Sequence, residues 1–208
     1  MTIIPNQLYH IYNQGNNKEQ IFKDRTDYLL FLKKYREIIH PVAETVCYSL
    51  MPNHFHFLIN TTPKSSEKVS LGKIESTQLG NGFRILTSGY ANEFNKRYKR
   101  SGSLFRQKTQ AKNLETINNR NIISDYSFIC FQYIHQNPMI ANLCFKMEDW
   151  EFSSFRDYLG MRNGTLLNQK VAFDLIGASK ENFYKESYEV ISEEKIAKLF
   201  EDNFIFLY

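Results

Sequence analysis

Several signatures that would place this 208-residue chain quickly are missing from it. No stretch approaches the ~18 apolar residues a membrane span needs, which argues against a membrane partner. The opening MTIIPNQLYH has neither the basic n-region nor the long apolar h-region of a secretory leader. The three cysteines, Cys47, Cys130 and Cys144, are odd in number and form no CxxC pair. That excludes a disulfide framework or a cysteine-rich zinc site and predicts reduced thiols in a cytoplasmic protein. A GxxxxGK[ST] loop is absent, so nothing marks a P-loop nucleotide site, and there is no HExxH helix of the metalloprotease kind. No internal repeat is visible.

What is present belongs to a folded globular protein: 42% hydrophobic, 23% charged and 15% aromatic residues, the last carried by 17 Phe and 13 Tyr. Aromatic rings fill cores, and they also stack on unpaired bases. The net charge of +4 is unevenly spread. Between Glu181 and Asp202 seven acidic residues face three basic ones, a net −4, so the rest of the chain carries +8. A basic body with an acidic tail points to a polyanionic partner. The tail from Lys180 to Tyr208 has two readings: a brake lying over the basic face, or helices packed by Phe183, Tyr184, Ile191, Ile196 and Leu199.

The element pattern is α+β. QLYHIYNQ reads as a strand, and the next apolar positions, Tyr28, Phe31, Leu32, Tyr35 and Ile38 with Ile39, recur at helical spacing. Asp24 or Thr26 is the expected cap, and Pro41 the stop. AETVCYSLM and NHFHFLIN are strands joined by a tight PN turn. TTPKSSEKVSLGKIESTQLGNG reads as a polar loop or insert, followed by a helix from about Phe83 to Tyr98. LFRQKTQAK is the expected fourth strand, and a third helix runs from Ile122 to Asn137, ended by Pro138. Short helices follow Trp150. Strand, helix, strand, strand, helix, strand is the ferredoxin-like βαββαβ order: an antiparallel sheet with two helices on one face, here with a further helix and a C-terminal helical extension. The division expected is 1–160 for the main domain and 161–208 for the extension.

Strand side chains alternate between faces, so in HFHFLI His54 and His56 share one face while Phe55, Phe57 and Ile59 share the other. Two imidazoles roughly 7 Å apart along a strand can lean onto one metal ion. Solvated surface histidines are the plain alternative, but the pair beside a tight turn favours a metal. A third ligand is then needed. YIHQNP supplies Tyr133 and Asn137, about 40° apart on the helix surface and one turn from each other; Tyr126 and Cys130 share that stripe. A tyrosine on an apolar stripe is ordinarily core. Asn137 precedes a proline and is expected at the helix C-cap, which makes Gln136 a rival ligand.

From Asn95 to Lys112 the chain carries Lys96, Arg97, Lys99, Arg100, Arg106, Lys108 and Lys112 without one acid, with Tyr98 and Phe105 between them. Cations neutralise phosphates and rings stack on bases, so this run is the expected nucleic-acid footprint.

MPNHFHFLI, then GSLFRQK, then YIHQNP, together resemble the single-tyrosine HUH transposases, in particular their REP-associated tyrosine transposase branch. The likeness runs from YHIYNQGNNKEQIF through EDWEFSSFRDY, about three quarters of the chain. It implies a ferredoxin-like fold and cleavage and rejoining of single-stranded DNA beside hairpins. It also implies His54 and His56 as metal ligands, Asn137 completing the site where better-studied relatives have glutamine, and Tyr133 as the nucleophile of a 5′-phosphotyrosine intermediate. Imidazole prefers softer ions while phosphoryl chemistry runs on hard ones; Mn²⁺ meets both, and the resemblance implies Mg²⁺ or Mn²⁺. A homodimer is possible, since some relatives supply the tyrosine from a second copy. Two other readings compete: a catalytically silent module binding hairpin DNA or RNA on the same fold, and a zinc hydrolase using His54 and His56.

Overall fold

The computed structural model describes residues 2–72, 74–115, 123–177 and 180–199. In chain order the elements are β1 (Leu8–Gln14), α1 (Arg25–Ile38), β2 (Ala43–Met51), β3 (His54–Thr61), α2 (Pro63–Ser66), β4 (Lys68–Leu71), β5 (Ile74–Thr77), α3 (Gln78–Arg97) and β6 (Gln110–Asn113), followed by α4 (Ile123–Ile140), α5 (Phe155–Tyr158), α6 (Gln169–Ile176), α7 (Phe183–Ser187) and α8 (Glu193–Leu199). The main sheet is antiparallel with order β2-β3-β1-β6, the ferredoxin-like arrangement, and β4 and β5 form a separate hairpin.

Both faces of β3 are buried. On one, Phe55, Phe57 and Ile59 meet α1 and α3 in an aromatic core; Tyr35 stacks on Phe57 with centroids 4.1 Å apart and planes 7° from parallel. Asp24 caps α1 by accepting from the backbone N–H groups of Thr26 and Asp27. Gly82 lets α3 close on α1, since a Cβ there would stand 3.0 Å from Ile39 Cδ1. On the other face, the side of the sheet expected to lie open, α4 packs across β2 and β3 and buries Val46, Cys47 and Leu58. α4 is apolar nearly all round because it is covered twice: the sheet lies on one side and α6 to α8 on the other.

Four local expectations change. The segment read as a polar loop contains α2, held by a Thr62/Ser65 capping box, and the β4–β5 hairpin. α3 starts at Gln78, capped by Thr77, because a polar, glycine-containing first turn hides the helical period that begins at Phe83. The fourth strand shrinks to Gln110–Asn113, with Leu104 and Phe105 buried in the loop before it. α4 continues through Pro138 to Ile140, and Ala141 N–H still reaches the Asn137 carbonyl at 3.0 Å. The proline removes one donor, but burial on both sides holds the last turn. Ile122, and residues 200–208 of the tail, lie outside the described residues.

The described tail packs on α4 rather than over the basic run. Phe183 is buried against Phe131, Phe155 and Tyr158. Gln136 donates to the Ser187 and Glu189 carbonyls at 2.7 and 2.8 Å, and Gln132 donates to that of Glu186. Phe183→Ala is therefore expected to lose about 3–5 kcal/mol of stability in urea unfolding, and a chain ending at Gly160 to lose near-UV circular dichroism and bind a hydrophobic dye.

Candidate active site: a buried histidine layer beside Tyr133

The register of β1 and β3 pairs Tyr12 with His56, Gln14 with His54 and His10 with Leu58. Paired residues share a face, so β1 adds His10 and Tyr12 to the face that carries His54 and His56. Rings crowd around His56: His10 stacks at 5.1 Å, Tyr12 lies at 5.9 Å, and His54 meets it edge-on at 5.0 Å. From α4, the Tyr133 ring stands edge-on to His56 with centroids 5.6 Å apart. One turn further on, the Asn137 side chain lies within hydrogen-bonding reach of the His54 imidazole. Because α4 runs on through Pro138, Tyr133 and Asn137 keep true one-turn spacing and face the sheet together, and the expected C-cap position of Asn137 is corrected. Gln136 is not brought to the histidines; its amide holds the tail.

The layer is dry. His10, His56 and Asn137 are fully buried, and Tyr133 retains 2% of its surface. Desolvation pushes His54 down to about 3, with Asn137 pulling weakly the other way. It pushes His56 well below the ordinary histidine range, helped by the neighbouring His54 and His10. His10 falls to about 3 through burial and the charge of Lys112, its partner across β1 and β6. These imidazoles are neutral at pH 7, the form that ligates metals. His135 falls to about 3 through burial alone, but it points into the second core and meets Ser154 Oγ at 2.8 Å, a packing role.

Hydrogen bonds select ring nitrogens. His54 Nδ1 lies 2.5 Å from Asn53 Oδ1; an amide oxygen accepts, so Nδ1 carries the proton and Nε2 the lone pair. His56 Nδ1 lies 2.9 Å from His10 Nε2, where either ring can donate. Neither Asn53 nor His10 was singled out in the sequence, because only the turn and the strand register bring them to these rings. His54, His56 and the Asn137 oxygen are the neutral N,N,O donors that could hold a divalent cation, a combination of imidazole and amide that suits Mn²⁺. Among the described residues no three His, Cys, Asp or Glu side chains group to hold a metal, so a zinc centre of that kind is not built.

The basic run divides. Arg97 binds Asp24 at 2.6 Å and the buried Asp27 at 2.7 Å, and Arg100 binds Glu19 at 2.8 Å. These two arginines tie α3 and the following turn to α1 and the loop before it. Lys96 and Lys99 are exposed, and Lys112 belongs to the histidine face. Arg106 and Lys108, joined by Arg84 from α3, line a groove of about 480 Å³ with Asn13, Thr87 and Gln110, and no acid is among its lining residues.

No family model and no curated protein matches the sequence. Among solved structures, a REP-associated tyrosine transposase bound to a REP hairpin superposes with a TM-score of 0.52 at 16% identity, covering 77% of this chain and 83% of that one. The fold is tyrosine-transposase-like. Two further structures match at lower scores. One is tRNA(His) guanylyltransferase from Saccharomyces cerevisiae, with a TM-score of 0.41 at 13% identity over 96% of this chain and 79% of that one. The other is a bacterial tRNA(His) guanylyltransferase-like protein in complex with GTP, with a TM-score of 0.36 at 11% identity over 73% and 68%.

Four imidazoles held neutral make stability pH-dependent. Their folded pKa values lie below the unfolded 6.5, so the unfolded chain binds more protons as pH falls below 6.5. Stability present at pH 7 is then lost on acidification, by up to about 1.4 kcal/mol per pH unit for each imidazole, until the folded values are reached, near 3 for His10, His54 and His135. Urea unfolding of metal-free protein at pH 7 and pH 5 measures this loss, and His135→Phe is expected to reduce the slope by about one proton.

Proposed function

We propose that this chain is a metal-dependent DNA strand transferase that cuts and rejoins single-stranded DNA beside hairpins, with Tyr133 as nucleophile. The observation that carries the reading is the convergence of Tyr133 on His56 and of Asn137 on His54 across the α4–β3 interface. The fold likeness supports it, and the structure that shares the fold is bound to a REP hairpin.

His54 and His56 through Nε2, and Asn137 through Oδ1, would hold the cation, Mg²⁺ or Mn²⁺. When bound, such an ion polarises the scissile phosphate and neutralises its charge. The Tyr133 hydroxyl attacks phosphorus, the Oη–P bond forms as the P–O3′ bond breaks, and the phenolic proton passes in net to the departing 3′-oxygen. The phosphodiester becomes a 5′-phosphotyrosine, and a 3′-hydroxyl reverses the step without ATP. Tyr133 meets the His56 of its own chain, so the reading needs no second copy. Arg84, Arg106 and Lys108 would take the phosphates of the flanking strand in their groove.

The burial of Tyr133 and Asn137 favours a second reading, a silent module that binds hairpin DNA or RNA with the layer closed, because a cut requires α4 to part from β3. Incubation with Mn²⁺ and hairpin-bearing single strands separates the two. The transferase gives a denaturation-stable protein–DNA adduct that Tyr133→Phe abolishes while DNA affinity stays within a few-fold; no adduct with wild type favours the silent module. An adduct surviving the substitution moves the nucleophile to Tyr12, whose ring also stands beside His56. Arg84→Ala with Lys108→Ala is expected to weaken DNA binding and to lower its salt slope by about 1 for each phosphate no longer neutralised; an unchanged slope removes the groove from the DNA path.

A further inference from the structure

Building on His54 and His56 as cation ligands, we propose that His10 is a positioning residue: it accepts a hydrogen bond from His56 Nδ1–H and so leaves the Nε2 lone pair of His56 for the cation.

Two neutral imidazoles sharing one hydrogen bond have two arrangements. If His10 Nε2 donates, His56 Nδ1 accepts, the His56 proton sits on Nε2, and that nitrogen cannot ligate. If His56 donates, the lone pair of His56 lies on Nε2 and the proton of His10 lies on Nδ1. The contact is direct, 2.9 Å between His10 Nε2 and His56 Nδ1. The rings stack at 5.1 Å and 27°, and both residues are fully buried, so water does not compete for the bond.

The neighbouring ligand shows which arrangement suits the site. His54 is held through the same ring atom, Nδ1, by the Asn53 oxygen, which can only accept. One rule then covers both: each histidine donates through Nδ1 to a partner and presents Nε2. This is the usual means by which an outer hydrogen bond fixes the tautomer of a metal-ligating imidazole. The partners come from different places, Asn53 from the β2–β3 turn and His10 from β1. His10 reaches His56 as a diagonal neighbour, because its direct partner on β3 is Leu58.

The test uses the full-length chain. In ¹⁵N-labelled, metal-free protein, long-range imidazole spectra are expected to show His56 protonated at Nδ1 and His10 unprotonated at Nε2. A His56 proton at Nε2 overturns the proposal, and this measurement needs no variant to fold. Mn²⁺ titration by calorimetry then compares His10→Gln, which keeps an acceptor, with His10→Phe, which does not. The phenylalanine variant is expected to bind Mn²⁺ roughly 10- to 100-fold more weakly, and the glutamine variant to stay within a few-fold of wild type. Equal affinity in wild type and His10→Phe, or equal losses in both variants, also overturns the proposal. A wild-type chain that takes up no Mn²⁺ while His56 is protonated at Nδ1 overturns the cation-ligand reading and leaves the direction of the hydrogen bond standing.

Discussion

The register of β3 is the constraint on which the rest hangs. Every second residue of that strand enters the aromatic core under α1 and α3, and every other one enters the layer under α4. A one-residue slip would put Phe55 and Phe57 among the polar groups beneath α4 and drive His54 and His56 into an aromatic core. The stack of Tyr35 on Phe57 and the close rings of Phe31 and Phe55 resist that slip. At the turn, Ile21 and Phe22 N–H groups bond the Pro52 carbonyl, and Gly15 N–H bonds that of Asn53. The phenylalanines thus aim the histidines, and the turn that fixes where β3 begins also delivers Asn53 to His54.

The second layer trades stability for a defined polar arrangement. Desolvating imidazoles and an amide is unfavourable unless hydrogen bonds replace water, so α4 needs apolar support beyond the sheet. That support comes from the C-terminal helices, which bury Ala172, Ile176, Phe183 and Ile191 in the same core as Phe131 and Ile134. It also explains why α4 passes Pro138 without stopping: a helix held from both sides tolerates one missing N–H. The continuation keeps Asn137 inside the helix, one turn from Tyr133 and on the same face.

What could be read from the sequence was local. Period-2 alternation put the two histidines on one face, and one-turn spacing put Tyr133 and Asn137 together, because each depends on residues within a few positions of one another. The ferredoxin-like order was legible in the same way. Pairings across the chain were not. Arg97 and Arg100 read only as members of a basic run, and nothing nearby announced their ion pairs with Asp24, Asp27 and Glu19, which lie 73, 70 and 81 positions away. His10 lay in an evident strand, but its meeting with His56 depends on how β1 and β3 align. The β4–β5 hairpin was hidden because its short strands are too polar to show a period, and the start of α3 was masked by its glycines.

The uncharged character of the layer suits an amide at position 137. His10, His54 and His56 are neutral and almost wholly enclosed, and the nearby charge on Lys112 acts against further positive charge. A carboxylate at position 137 would add a buried anion that must be paired or protonated whenever no cation is present. Asparagine offers an oxygen donor without that penalty, so the folded layer does not depend on metal to hold together. The cation would then be bound by geometry and by neutral lone pairs, with its charge left to act on the phosphate. For the same reason the proton positions on His54 and His56 would matter to such a cation: in a site without compensating charge, a hydrogen on the wrong ring nitrogen would take that lone pair away outright.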